Sequence, residues 1–340
     1  MKIRENLPIS QLTTMRLGGA ARYVVDITGD DDVEQAYKLA KRDGLPVYIL
    51  GGGSNVIARD EGFNGLILLN RLTGYSVVKK TTTSMTLRIK SGEILDNICE
   101  NTAKKGYTGM EALSAIPGTV GGAVIQNSGA YGQEIADILE SVEVFDSHKK
   151  AFLALAKADL EYSYRRSIFN TTAKGRYFIT AVCLKLKKGE MRGEFYASLQ
   201  RYLDDNGILD RSPLTIRRAV CDIRADKLPD PKIIPSAGSF FKNITIPPEE
   251  VKKYRADFPE MPIYKIGKNW EIASGWLIEQ AGLKGQTLHG IKVSDRAALI
   301  LINQSAQSYA DLAAARAEII QTVQQKFGLA LEQEPEELSV

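Results

Sequence analysis

At 340 residues the chain is too long for one ordinary hydrophobic core, and usual domain sizes imply roughly two or three domains. A formal charge of +3, with 44% hydrophobic and 25% charged residues, is that of an ordinary globular protein. It excludes a broadly basic nucleic-acid or membrane-surface binder and leaves any anion binding to local clusters. No uninterrupted apolar run reaches the roughly 20 residues needed to span a bilayer, and Met1-Lys-Ile-Arg-Glu-Asn6 has no apolar signal-peptide core. Cys99, Cys183 and Cys221 are odd in number, widely spaced and in no metal-ligand pattern. The expectation is a cytoplasmic monomer with buried free thiols, no metal, and neither nucleic acid nor membrane as partner.

In chain order, Ala21–Asp26 reads as a strand. Asp31–Asp43 reads as a helix, with an acidic start, apolar residues at Val33, Ala36, Tyr37 and Ala40, and Gly44 past its end. The strands Pro46–Leu50 and Gly65–Leu69 complete a small α/β unit. From Tyr75 to Lys90 the apolar positions Val77, Met85, Leu87 and Ile89 follow strand alternation, and Gly92–Gly106 reads as an amphipathic helix. With strands at Ser141–Phe145 and Tyr177–Leu186, the middle of the chain is strand-rich α+β. Between Gly189 and Pro231 the character turns charged, with helices predicted at Glu194–Asp205 and Thr215–Arg224 and a proline-broken boundary at Leu228–Lys232. Beyond it the pattern predicts a helix over Ile272–Ala281, a buried strand over Ala297–Ile302 and a strong amphipathic helix over Tyr309–Phe327, stopped by Gly328.

Two glycine clusters stand out. Gly51-Gly-Gly-Ser-Asn55 follows the Pro46–Leu50 strand, and Ser114–Gly132 packs five glycines and Pro117 into an apolar run. Glycine admits φ > 0 and lets a ligand come close to backbone N–H groups, so such loops can grip a diphosphate without fixed positive charge. Two loops at strand ends suggest one long ligand held in two places. Neither is a P-loop, and neither is the glycine fingerprint of a dinucleotide-binding βαβ unit. The side chains of Ser54, Asn55, Ser114 and Asn127 add donors and acceptors.

With Thr13–Gly19 before them and Tyr164–Phe169 and Gly238–Asn243 after them, these loops closely resemble the UDP-N-acetylenolpyruvoylglucosamine reductase family. The resemblance runs collinearly from about Leu7 to the C-terminus. It implies an α+β chain with a two-part FAD-binding fold, a small α/β unit over residues 1–70 and an antiparallel-sheet domain over 71–215. An α+β substrate-binding domain would follow over 216–327, with 328–340 returning to the first part. It further implies that NADPH, by way of FAD, reduces UDP-N-acetylglucosamine enolpyruvate to UDP-N-acetylmuramate. Gly51, Gly52, Gly53, Ser54, Asn55, Ser114, Pro117, Gly118, Gly121, Gly122, Asn127, Gly129 and Ala130 would wrap the FAD. Attachment is expected to be non-covalent, because His148 and His289 lie outside both loops.

By the same resemblance Arg165 steadies the substrate carboxylate, Ser239 is the proton donor, and Glu334 is the third catalytic group, with Glu336 as the alternative in a tail of closely spaced glutamates. Arg224, Lys227 and Asn243 would hold the UDP part, and Tyr196 would close over the nucleotide sugar, as in the members with that loop. By themselves these residues have plainer readings: a solvated arginine, a turn serine, an acidic tail, a charged helix face. One departure is Arg166, where the family usually has aspartate. The rivals are another FAD enzyme of the same fold acting on a sugar or alcohol, and a non-catalytic nucleotide-sugar binder; the Arg224/Lys227 pair with Ser239 separates the first, and a flavin spectrum the second.

Overall fold

The chain, described over residues 1–191, 195–266 and 269–338 by a computed structural model, has an α+β fold and forms two units by its internal contacts. The first consists of Met1–Leu7, Ala21–Gly52 and Asn64–Asp226; the second consists of Pro8–Ala20, Gly53–Phe63 and Lys227–Val340. The last boundary therefore falls eleven residues beyond the expected cut at 215/216. The helix Pro213–Lys227 explains it: Ile216, Ala219, Val220 and Ile223 are buried against Phe195, Leu199 and Leu203 of the first unit.

In the first unit a small sheet runs Ile3–Pro8, Ala20–Ile27, Phe63–Asn70, Val47–Leu50, the last two parallel. The helix Asp30–Arg42 covers it. Three aspartates in its first turn and Lys41 and Arg42 in its last complement the helix dipole. Val33, Ala36 and Ala40 pack with Val25, Ile27, Leu66 and Leu68. A larger antiparallel sheet runs Ala151–Ala156, Leu139–Asp146, Tyr177–Lys188, Ser84–Lys90, Tyr75–Lys80. On it lies the helix Leu95–Lys104, whose buried Leu95, Ile98, Cys99, Thr102 and Ala103 form one face at helical spacing. The helices Ala197–Asp205 and Pro213–Lys227 share a core of their own. Glu194, placed in a helix by the sequence pattern, lies outside the described residues.

In the second unit Ser236–Ser239, Ile300–Asn303, Ile291–Val293 and Thr287–Leu288 form an antiparallel sheet, and Ile244–Ile246, Asn269–Ile272 and Ile263–Ile266 another. Ile272, expected to open a helix, instead ends a strand paired to both Ile244 and Ile263; the helix is Ser274–Gln280. The helix Tyr309–Phe327 has the predicted bounds. Ser308 caps it by accepting from Asp311 N, and Gly328 ends it at φ 68°. Its stripe of Leu312, Ala315, Ile319, Val323 and Phe327 is buried. The tail then returns to the early chain, Glu336–Leu338 pairing in parallel with Val56–Ala58.

Cys99 is buried, whereas Cys183 and Cys221 are half-buried rather than enclosed; all three are free thiols. Among the described residues no helix is long and apolar enough to cross a membrane, and no group of His, Cys, Asp and Glu could hold a metal ion.

Candidate active site

The two glycine loops touch. A Cβ on Gly52 would lie 3.0 Å from the Cα of Gly118, and one on Gly51 would lie 2.7 Å from Thr119 Oγ1. Thr119 caps the short helix Val120–Ile125, its Oγ1 accepting from Gly122 N at 3.3 Å. Gly121 donates its N–H to Ser91 O at 2.8 Å, and a side chain there would strike Ser91. These glycines thus leave bare backbone where two chain segments meet. Pro117 precedes Gly118, which sits at φ 116°, and Ser114 is fully buried with no partner for its Oγ among the described residues. A buried hydroxyl left unpaired costs about 1–3 kcal/mol. An oxygen-rich ligand would supply the missing partner, so this stretch fits the diphosphate half of FAD.

Gly53, Ser54 and Asn55 belong to the second unit. Gly53 has φ 66°, and a Cβ there would lie 2.1 Å from Leu12 O, so only glycine fits. Asn55 is tied to the C-terminal tail: its Nδ2 donates to Glu334 O at 3.5 Å and its carbonyl accepts from Glu336 N at 2.9 Å.

Asn127 is buried with its side chain committed to protein, donating to Glu134 Oε2 at 2.7 Å and Ser163 O at 3.1 Å while accepting from Ala136 N at 3.2 Å. It shapes the loop whatever else it touches. Gly129 and Ala130 pair with Glu134 and Gln133, and the turn between holds Tyr131 at φ 48° and Gly132 at φ 88°, the arrangement of a tight two-residue hairpin.

Arg165 comes to this loop. Ser163 and Arg166 exchange both backbone hydrogen bonds at 3.1 Å, and Arg165 stands in the intervening turn at φ 55°, a conformation uncommon for a residue with a side chain. Asn170 Nδ2 holds its carbonyl at 3.0 Å. Its guanidinium lies against Gly129, Nη2 donating to Gly129 O at 3.1 Å and Nη1 to Asn127 O at 3.4 Å. Arg166 is exposed.

The helix Pro213–Lys227 continues through both Arg224 and Lys227. Arg224 Nε donates to Ala115 O at 3.3 Å, and burial pushes its pKa down. Ala115 N donates in turn to Asp96 Oδ1 at 2.7 Å, and Asp96 receives Arg217 on both oxygens. Burial opposes the charge on Asp96, but these bonds outweigh it and hold the carboxyl below its ordinary pKa. The turn after Ser114 is therefore fastened from two sides. The Tyr131 ring meets that of Tyr196 edge-on at 6.4 Å. Tyr196 is 41% exposed at the start of the helix Ala197–Asp205; Gly193 and Glu194 of its motif lie outside the described residues. Lys227 is exposed.

In the second unit Ser239, exposed, ends the strand Ser236–Ser239 after Gly238 at φ 71°. The chain beyond it runs against the tail. Glu334 N donates to Phe240 O and Lys242 N to Glu332 O, both at 2.9 Å, with Phe241 bridging Gln333. Glu334 therefore stands beside the serine-bearing strand, whereas Glu336 pairs with Val56. Asn243 bonds Glu271 and the N–H of Ser274, each at 3.3 Å.

Four residues escape the sequence reading: Thr119, Asp96, Arg217 and Tyr131. Thr119 before Val-Gly-Gly is a legible cap signal, and Tyr131 is the lone aromatic between two loop glycines. Asp96 and Arg217 carry no signal, since their pairing joins positions 121 apart.

Comparison with known proteins finds two matching family models, the FAD binding domain over residues 21–149 and the C-terminal domain of UDP-N-acetylenolpyruvoylglucosamine reductase over residues 229–338. The UDP-N-acetylenolpyruvoylglucosamine reductase of Ralstonia nicotianae is 36% identical over 332 residues, covering 96% of this chain and 97% of that protein. That of Alcanivorax borkumensis is 35% identical over 332 residues, covering 97% and 95%. The crystal structure of the Thermus caldophilus UDP-N-acetylenolpyruvylglucosamine reductase matches with a TM-score of 0.70 and 25% identity, covering 99% of this chain and all of that one.

Proposed function

Because the chain belongs to the UDP-N-acetylenolpyruvoylglucosamine reductase family, and so is an FAD-dependent oxidoreductase, we propose that it uses NADPH to reduce UDP-N-acetylglucosamine enolpyruvate to UDP-N-acetylmuramate for peptidoglycan. Bound FAD supplies the two-electron carrier between the nicotinamide and the enolpyruvyl double bond. The observation that carries the reading is the Arg165 guanidinium laid against Gly129 of the second glycine loop, a permanent cation beside the segment that fits the cofactor.

Each residue then has one task. Backbone N–H groups of Gly51, Gly52, Gly53 and Gly118, with the Ser114 hydroxyl, hold the diphosphate; Gly121 and Gly122, whose N–H groups go to Ser91 O and Thr119 Oγ1, join Ser54, Asn55, Pro117, Asn127, Gly129 and Ala130 in shaping the loops around it. Arg165 and Glu334 share the charge and proton of the substrate carboxylate as the double bond is saturated. Ser239 Oγ gives its proton to the carbon bearing that carboxylate. Glu334 is supported over Glu336 by its backbone bond to Phe240, next to Ser239. Arg224 and Lys227 balance the UDP phosphates, Asn243 uses its remaining N–H toward the nucleotide, and Tyr196 closes over the sugar from its edge-on contact with Tyr131. The nucleotide-sugar substrate and NADPH place the reaction in the cytoplasm.

The test is anaerobic. NADPH should bleach the flavin absorbance of the purified protein, and UDP-N-acetylglucosamine enolpyruvate should restore it. Ser239→Ala should leave the bleaching intact and slow only the restoration. Bleaching without restoration in the unmodified protein would sink the substrate assignment, and equal slowing of both steps by Ser239→Ala would sink the role of the serine.

A further inference from the structure

The tail that carries Glu334 is held by charge as well as by its backbone. Glu337 Oε1 accepts from Arg59 Nε at 2.5 Å, and Oε2 accepts from Tyr309 Oη at 2.6 Å and Arg316 Nη1 at 3.2 Å. Arg316 Nη1 also donates to Gln333 Oε1, and its Nη2 to the Tyr309 hydroxyl at 3.2 Å. Gln333 Nε2 donates to Pro335 O at 2.7 Å. Asp60 caps the start of the long helix, accepting from Tyr309 N at 2.6 Å and Ala310 N at 3.1 Å. The side chains of Arg316 and Glu337 are 23% and 20% exposed, so water screens this cluster less than an ordinary surface pair.

A guanidinium can only donate, so Arg316 selects the oxygen of the Gln333 amide and leaves its NH2 for Pro335. That amide therefore spans Glu334, anchored to the helix before it and to the backbone after it. Burial opposes the charge on Glu337, but the bonds from Tyr309, Arg59 and Arg316 outweigh it and hold the carboxyl below its ordinary pKa. The carboxylate thus remains ionised as the hub of the clasp.

We infer that Arg316 is a positioning residue for the reaction: bonded to both Glu337 and Gln333, it fixes the tail in the register that sets Glu334 against the Ser239–Phe240 backbone. The inference rests on the reading of Glu334 as a group that acts on the substrate. Arg316 acts through the tail, by its bonds to Glu337 and Gln333.

The experiment uses the FAD-loaded enzyme and follows the two half-reactions separately by anaerobic stopped flow, in Arg316→Ala, Arg316→Lys, Glu334→Gln and the double variant Arg316→Ala/Glu334→Gln. Arg316→Ala should leave flavin reduction by NADPH within about twofold and slow reoxidation by UDP-N-acetylglucosamine enolpyruvate about tenfold to a hundredfold, the scale of a misplacement near 1 Å. The double variant should be no slower than Glu334→Gln alone, because both changes remove one function. Arg316→Lys should recover part of the rate, since an ammonium can reach Glu337 but lacks the fork that also holds Gln333. Glu337→Gln, nearly isosteric, should reproduce the pattern at smaller size and serves if Arg316→Ala does not fold. Multiplying effects in the double variant, equal slowing of both half-reactions, or no slowing would overturn the role of Arg316. Unchanged reoxidation in Glu334→Gln would instead remove Glu334 from the reaction, and the inference with it.

Discussion

Gly52 faces Gly118 so closely that a Cβ on the first would lie 3.0 Å from the Cα of the second. The loops approach at a pair of positions where both offer nothing but backbone. Gly52→Val should force them apart at a cost of about 1–3 kcal/mol, the usual penalty of overpacking, and weaken FAD roughly tenfold to a hundredfold. The protein should purify with a low ratio of flavin to protein absorbance, and titration with FAD gives the affinity. Full retention of yellow colour would show that the contact does not matter.

Ser114 permits the opposite separation. Its buried hydroxyl lacks a partner among the described residues, so Ser114→Ala should leave the melting temperature of the FAD-stripped protein unchanged or slightly raised. The rise in melting temperature on adding FAD should shrink, as a ligand bound about tenfold more weakly stabilises less. A clear fall in the stripped protein would mean that the hydroxyl is already satisfied without cofactor.

Arg165, proposed above to steady the substrate carboxylate, has its backbone at φ 55°. Arg165→Gly and Arg165→Ala both remove the guanidinium and differ only at the Cβ. Both should slow flavin reoxidation by substrate about 10²- to 10³-fold, as removal of a charge-stabilising donor does elsewhere. The glycine variant should nevertheless be the more stable of the two by about 1 kcal/mol in chemical denaturation, because it relieves the left-handed conformation. Equal stability would deny strain at this turn.

Asp146 should contribute to acid stability in the first unit. Arg176 donates Nη2 to Asp146 Oδ2 at 2.7 Å, and the N–H groups of His148 and Lys149 join it on Oδ1, which lowers the carboxyl from 3.8 to about 2. A carboxyl with a depressed pKa in the folded state contributes stability above its unfolded pKa and loses it as the pH falls through its folded one. The contribution should therefore be complete above about pH 4 and drain away toward pH 2. Asp146→Asn should cost about 2 kcal/mol at neutral pH, the worth of a charge-assisted hydrogen bond, and flatten that part of the acid limb in a denaturation series. An unchanged limb would assign acid lability to other groups.

Local signals were legible where they concern one turn of chain. The Asp30–Arg42 helix starts with three aspartates and ends before Gly44, so its pattern is off by one residue at each end; the Tyr309–Phe327 helix is marked by Gly328 and reads without error. Ile272 is different: nothing in an apolar run tells that Ile244 and Ile263 will claim it for a sheet. The same division holds at the site. A glycine advertises its lack of a side chain, which is why both loops are visible, and Arg165 emerges from its motif but not its left-handed turn, because neither glycine nor asparagine marks it. Asp96, Arg217 and Arg316 were invisible because each works through residues brought near only by folding.

The parallel pairing of Val56–Ala58 with Glu336–Leu338, reinforced by the bond between Arg59 and Glu337 across 278 positions, ties a strand to a partner made long after it. Chains are made from the N-terminus, and early parts fold while later ones are still being added. Here Val56–Ala58 keeps its edge open until Glu336–Leu338 has been made. A chain cut before Glu336 cannot close this edge, and its Gly51–Asn55 loop then leads into an unpaired strand.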